Sequence, residues 1–240
     1  MCGRFQLKFM PDAEELFWRY FGIAFPEFHY PPVLGDSLCP YNDISVIYKG
    51  AAGQPAVTNM FWNLIPNYEK RFEPKRNWFN IRKEKLAQPY TKKLVRARRC
   101  IIPVSGFFEN KKSGGQYVYH SRKISGKNVR RKETYEFTHD GGALFALGGL
   151  YDTWNRDDKG PRDSCTIITL PPNELIAPIH DRMPFIVPKD VIDLWLDPSV
   201  DDFDLLCGLV KPYPSDKLRV RRAWPPEDEQ PQADLFDAGE

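Results

Sequence analysis

The spacing of apolar residues predicts a chain built mostly from strands. Residues 44–48 and 56–62 are rich in β-branched and aromatic side chains and read as strands. The stretch "CIIPVSGFFE" (100–109) reads as a buried strand, a turn at Gly106 and an aromatic return. "GGALFALGGLYDTW" (141–154) and "DSCTIITL" (163–170) are apolar at their centres and bounded by Gly or Asp, as fully buried strands are. Helical spacing is rarer. Residues 11–21 start on Pro11 and Asp12 and place Leu16, Phe17 and Tyr20 on one face. "PKDVIDLWL" (188–196) opens on a proline and turns Val191, Leu194 and Trp195 inward. Residues 80–99 read as two short helical pieces broken at Pro89. Gln116 to Phe137 reads as a hairpin with a long polar connection over 120–136. Strands joined without crossover helices predict an α+β fold: a mainly antiparallel, barrel-like β domain with short flanking helices.

Composition sets the limits of this picture. The chain has 240 residues, 42% hydrophobic, enough for a sizeable core in a single domain, placed at 2–222. Residues 225–240 hold six acids and no base and read as a loose tail. No apolar run is long enough for a transmembrane helix, and the first residues carry no secretory signal, which predicts a cytoplasmic protein. The five cysteines are far apart and form no C-x-x-C pair, so no metal or other cofactor is expected. Four of them should be small buried residues in a reducing compartment.

Charge changes the picture more. Lys70 to Lys132 holds 20 Lys and Arg against Glu73, Glu84 and Glu109, a net +17, while the rest of the chain is −15. A solvated surface accounts for many such runs. Interleaved Trp78, Phe79, Phe107, Phe108, Tyr117 and Tyr119 fit a surface that binds phosphates and stacks bases.

Four stretches carry candidate chemistry, each with a plain structural alternative. "MCGRF" places Cys2 behind the initiator methionine. Loss of Met1 would leave an α-amine and a thiol on one residue, the pair needed to form an imine and close a five-membered ring on an aldehyde. In "NWFNIRKE", Asn80 is a candidate to hold the Cys2 backbone or a substrate hydroxyl, and Arg82 to grip a phosphate. Glu109 follows a buried run and two phenylalanines, which should strip its solvation and raise its pKa. His180, in "IHDRMP", suits general acid or base work near neutral pH.

The order "MCGRF", "WNLIP", "NIRKE", "RRCIIPVSGFFE", "ALGGLYDTW", "IHDRMP" resembles the SOS response-associated peptidase, or SRAP, family over residues 2–200. The resemblance implies a sensor of abasic sites in single-stranded DNA. After removal of Met1, by the protein itself or by an aminopeptidase, Cys2 would form a stable thiazolidine crosslink with the ring-opened sugar. It implies catalytic roles for Cys2, Asn80, Glu109 and His180. Glu109 would take a proton from the α-amine, and His180 would give one to the sugar ring oxygen. Arg4, Tyr68, Arg82 and Arg182 would contact DNA, and the protein would act as a monomer. The chain departs from the family pattern at Asn63, where the family has glycine, and at Asn110, where it has tryptophan. A basic insertion spans 111–140.

Three rivals remain at this level. Class II glutamine amidotransferases also begin Met-Cys-Gly, though they need a second synthase domain. A peptidase would use the Cys2 thiol alone. A non-catalytic single-strand binding module would not need Cys2.

Overall fold

A computed structural model of the protein describes residues 2–8, 21, 33–50, 53–139 and 144–225. Of the expected helix over 11–21 only Phe21 is described, and residues 226–240 of the expected tail also lie outside the described residues. The first elements are β1 (Phe5–Leu7), β2 (Gly35–Leu38), β3 (Asp43–Lys49), β4 (Pro55–Trp62) and β5 (Asn80–Arg82). Helix α1 (Pro89–Ala97), β6 (Arg99–Val104) and β7 (Gly106–Asn110) follow. Short strands β8 (Lys112–Ser113) and β9 (Gln116–Tyr117) precede the hairpin of β10 (Tyr119–Ile124) and β11 (Lys127–Lys132). The rest comprises β12 (Thr134–His139), β13 (Phe145–Trp154), β14 (Arg162–Leu170), β15 (Met183–Pro184), β16 (Ile186–Val187), α2 (Ile192–Leu196), α3 (Phe203–Leu209) and β17 (Leu218–Trp224).

Five strands close a ring in the order β3, β4, β14, β13, β6 and back to β3. All its pairings are antiparallel except β14 with β4. A second sheet, β17-β12-β7-β1-β2, lies against the ring. Ring closure requires Gly149, because a Cβ there would stand 2.6 Å from the Thr166 carbonyl oxygen on β14. The chain crosses from ring to second sheet at Ser105, between β6 and β7, one residue before the expected turn. The fold is α+β and mostly β, as the spacing predicts.

The core fills the space between ring and sheet. Phe5 packs on Trp62 at 5.0 Å between centroids, and Phe107 packs on Phe137 and Phe145. All are at most 1% exposed. Truncating Phe107 to alanine should cost about 3–5 kcal/mol.

Several expectations are corrected. Residues 80–82 form a strand, because they add in parallel to β14 (Ile167 opposite Asn80). Pro89 starts α1 rather than breaking a helix, since the first turn needs no N–H there. The connection over 120–136 is itself the β10–β11 hairpin, closed by Ser125 and Gly126 with positive φ, as a tight two-residue turn requires. Polar residues fill most positions of both strands, so no apolar alternation marks them. In α2, Ile192, Trp195 and Leu196 face inward while Leu194 is turned outward. The Trp195 indole donates to the Cys100 carbonyl and docks α2 on β6. Cys39 and Cys207 are only partly buried, against expectation.

Candidate functional site

The strand pairing assembles the candidate site. β1 runs antiparallel to β7, with Phe5 opposite Phe107, and the Phe108 amide donates to the Arg4 carbonyl. This lays Cys2 beside the Glu109 end of β7. On β7, Phe107 and Glu109 point into the core and Phe108 and Asn110 point out, the ordinary alternation of a strand. β5 delivers Asn80, whose side-chain amide donates to the Cys2 carbonyl at 2.6 Å. His180 arrives from a compact turn after β14, where the Asn173 side chain accepts from the Ile176 amide and the His180 amide bonds back to Ile176. Its Nε2 lies 3.6 Å from a Glu109 carboxylate oxygen.

Burial gives these groups their electrostatics. Glu109 is 2% exposed, and loss of hydration pushes its carboxyl up to about 7. The same loss pulls His180 down to about 4. Lys112 approaches both and favours the charged carboxylate and the neutral ring. His180 Nδ1 lies 3.1 Å from the Arg182 amide nitrogen and 3.2 Å from the Arg182 carbonyl oxygen, so it accepts from the one or donates to the other according to the tautomer; with the proton on Nδ1, Nε2 faces Glu109 as an acceptor. Once the ring is charged, Nδ1 has an acceptor in Asp181, also 3.1 Å away, which Lys112 holds at 2.8 Å. Burial, reinforced by the Glu109 charge, raises the Cys2 thiol well above its ordinary value and keeps it protonated.

Beyond Asn80, a cleft of about 600 Å³ is lined by Trp78, Arg76, Arg82 and Thr166. Asn80 and Arg82, two apart on β5, both face it. The Asn80 Oδ1 atom is buried without a hydrogen-bond partner, leaving an acceptor beside the cleft. Trp78 stacks on Tyr90 (5.9 Å), and Tyr68, half exposed, meets the same ring edge-on at 5.2 Å.

The structure thus brings Cys2, Asn80, Glu109 and His180 together and places Arg82 at the adjoining cleft, while Tyr68 does not line that cleft and rests on Tyr90 beside it. Arg4 lies on the outer face of β7, its guanidinium 4.2 Å from the Phe108 ring. Arg182 is 8% exposed, clasped by both carboxylate oxygens of Glu84 (2.6 and 2.9 Å) and by the Thr169 carbonyl, which is a structural placement. Arg99, counted in the basic run, is also buried and donates to the carbonyls of Val95, Trp195 and Asp197. Asn63 is fully buried and its side chain holds the Arg76 carbonyl. Sequence reasoning missed Glu84 and Lys112, whereas Trp78, named there for base stacking, does line the cleft. Glu84, two residues past Arg82, was visible only as part of a motif whose partner lies 98 residues away. Among the described residues no three His, Cys, Asp or Glu side chains cluster as a metal site, and no helix is long and apolar enough to cross a membrane.

The family model for SOS response associated peptidase (SRAP) matches residues 1–224. The "Abasic site processing protein YoqW" of Bacillus subtilis (strain 168) is 32% identical over 223 residues, 92% of this chain and 91% of that protein. The "Abasic site processing protein HMCES" of Gallus gallus is 28% identical over 156 residues, 61% of this chain and 46% of that protein. A crystal structure of a Bordetella bronchiseptica protein superposes with a TM-score of 0.72 at 21% identity, over 92% of this chain and 99% of that one, and shares its fold. On the extent of these matches and on the motifs from Cys2 to His180, the chain belongs to the SRAP family, SOS response associated peptidase.

Proposed function

We propose that the protein processes abasic sites in single-stranded DNA by forming a thiazolidine between Cys2 and the ring-opened sugar. The observation that carries this is the position of Cys2: its carbonyl held by Asn80 and its thiol within the field of the buried Glu109, itself 3.6 Å from His180. The names of its relatives point to the same substrate.

The sequence of steps follows from the electrostatics. Removal of Met1 exposes the α-amine of Cys2. Glu109, with a pKa near 7, exists in both forms at neutral pH, so its carboxylate takes the amine proton and can later return it. His180 is seldom charged on its own. It becomes a donor to the sugar ring oxygen when a proton passes to it from Glu109, so the pair, not the imidazole alone, opens the ring. The neutral amine attacks the aldehyde and expels water to give an imine, and the Cys2 sulfur adds to the imine carbon as its proton moves to nitrogen. Asn80 keeps Cys2 in attacking geometry, which is worth more than any single contact in water. The raised thiol pKa argues against thiolate-first chemistry, as a glutaminase or cysteine peptidase would use.

Incubating the protein with a single strand containing one abasic site, then separating on a denaturing gel, tests the reading. A band shifted by one protein mass is expected, from protein whose intact mass lacks one methionine. A parental protein that gives no such band, or that crosslinks with Met1 still attached, sinks the thiazolidine.

A further inference from the structure

On the opposite side of β7 from Glu109, a second cleft of about 680 Å³ lies between the β10–β11 hairpin, the start of the chain and the end of β17. The register explains how it forms. Arg4 and Phe108 share the outer face of the second sheet, Asn110 faces Thr134 across β12, and Thr134 faces Trp224 on β17. The hairpin folds over this face and supplies Tyr119, Arg130, Arg131 and Lys132. Its volume falls in the range that holds a small ligand or a nucleotide.

The lining carries Arg4, Arg130, Arg131 and Lys132 and not one acid. The nearest carboxylates are already engaged: Glu136 by Gln6 and Arg221, Glu133 by His120, Lys111 and Tyr135. Burial lowers the Arg4 pKa and the Arg131 charge adds to it, against the opposing pull of Cys39 and Glu136, and an anion between the two guanidiniums would relieve that repulsion. Three guanidiniums lie on rings: Arg4 on Phe108 at 4.2 Å, Arg130 on Tyr119 at 4.6 Å and Arg131 on Trp224 at 5.0 Å. A guanidinium stacked by its face leaves the N–H fork on its edge directed elsewhere, which suits bidentate phosphate binding. Exposed ring area beside it suits base stacking. Gly3 and Arg4 line the cleft, so it begins one residue from Cys2.

We infer that this cleft is a binding subsite for the nucleotide on one flank of the abasic site, with its phosphates on Arg4, Arg130 and Arg131 and its base against the Trp224 and Tyr119 edges. The lesion itself goes to the inner face of β7, and the strand turns over the edge at Gly3 to reach the outer one. This inference rests on the function proposed above. The β10–β11 insertion thereby becomes a device that reads one side of the lesion and not the other.

The test uses full-length protein and labelled single strands with the lesion at the 5′ end, the centre or the 3′ end, plus an undamaged strand, each titrated over a salt series. In the double variant Arg130→Gln/Arg131→Gln, two phosphate contacts are lost. Affinity should drop about tenfold per contact, and the log–log salt slope should shallow by roughly 1.4, at 0.7 per contact on a single strand. The loss should appear on the central lesion and on one end-lesion strand, and be far smaller on the other. Arg131→Lys keeps the hairpin and the charge and should keep most of the slope, which separates lost contacts from a folding defect. Trp224→Leu should weaken binding without changing the slope. Equal loss on all strands, or none, overturns the subsite. If the parental protein forms no crosslink but the double variant still loses affinity on one end-lesion strand more than on the other, the cleft stands and the abasic-site reading falls.

Discussion

Phe108 and Glu109 are neighbours on β7 and serve opposite sides of it. On the inner side, two titratable groups 3.6 Å apart are almost wholly cut off from water, and each is moved toward its uncharged form. On the outer side, cations and rings line an open cleft with no acid among them. On the function proposed, the contrast is a division of labour along one strand. Proton transfer at neutral pH needs a carboxyl whose pKa has been lifted there by burial, whereas phosphate capture needs charge that water still reaches and that costs little to keep ionised. Asn110 fits this division. It faces the outer cleft and accepts from Thr134, so the departure from the family's tryptophan falls on the outer face and leaves the inner cluster untouched.

The sharpest way to break the comparison is on the inner side. Cys2→Ser should abolish the denaturation-resistant crosslink while leaving reversible strand binding in place; a crosslink that survives it would move the chemistry elsewhere. Next in size is Glu109→Gln, which keeps shape and removes the base. Crosslinking should slow by roughly 10²–10⁴-fold, with affinity nearly unchanged because no cation is lost. In the parental protein the rate should rise with pH through about 7, as the carboxylate forms, and that rise should vanish in the variant. His180→Ala should slow formation and release together, since the same proton is used in both directions; timing both on a gel separates it from a residue that merely binds.

The ring and the inner cluster were largely legible from sequence, and the outer cleft was not. Strands β6, β13 and β14 announce themselves because both faces are buried and their apolar runs are continuous. Glu109 was legible because it sits among such residues. The β10–β11 hairpin is polar at most positions, so little in its sequence distinguishes a strand from a loop except the Ser125-Gly126 turn. Arg82 and Arg182 looked alike in sequence as phosphate ligands, yet one lines a cleft and the other is clasped by Glu84. Burial decides between them, and burial depends on a partner 98 residues distant.

That difference between two arginines gives a smaller test. Arg82→Ala should shallow the salt slope by about 0.7, one phosphate contact, without altering the melting temperature. Arg182→Ala should do the reverse: it removes donors to Glu84 and to the Thr169 carbonyl, so melting should fall while the slope holds. If both variants change the slope equally, Arg182 also faces DNA in the complex.

The smallest effect concerns stability, and its sign follows from the two shifts. The folded protein holds the Glu109 proton more tightly than the unfolded chain does, since its pKa rises from 4.5 to about 7. Its contribution is therefore favourable at low pH and is lost as pH rises from about 4.5 to about 7. His180, lowered from 6.5 to about 4, has the opposite sign: folding is penalised as pH falls through that window. In the parental protein the two trends partly cancel below pH 6.5. Glu109→Gln removes one of them, so the variant should gain on the parent as pH rises, by roughly 1–3 kcal/mol at pH 8 relative to pH 4.5. For a chain of this size that is a relative rise in melting temperature of about 2–4 °C per kcal/mol. The same substitution would thus make the protein slower and more stable at pH 8, which is the expected signature of a carboxylate kept buried for its chemistry. Melting curves of the two proteins at pH 4.5 and pH 8 decide it: a difference that stays constant between the two pH values would mean that Glu109 is an ordinary, solvated acid and that the inner side of β7 is no drier than the outer.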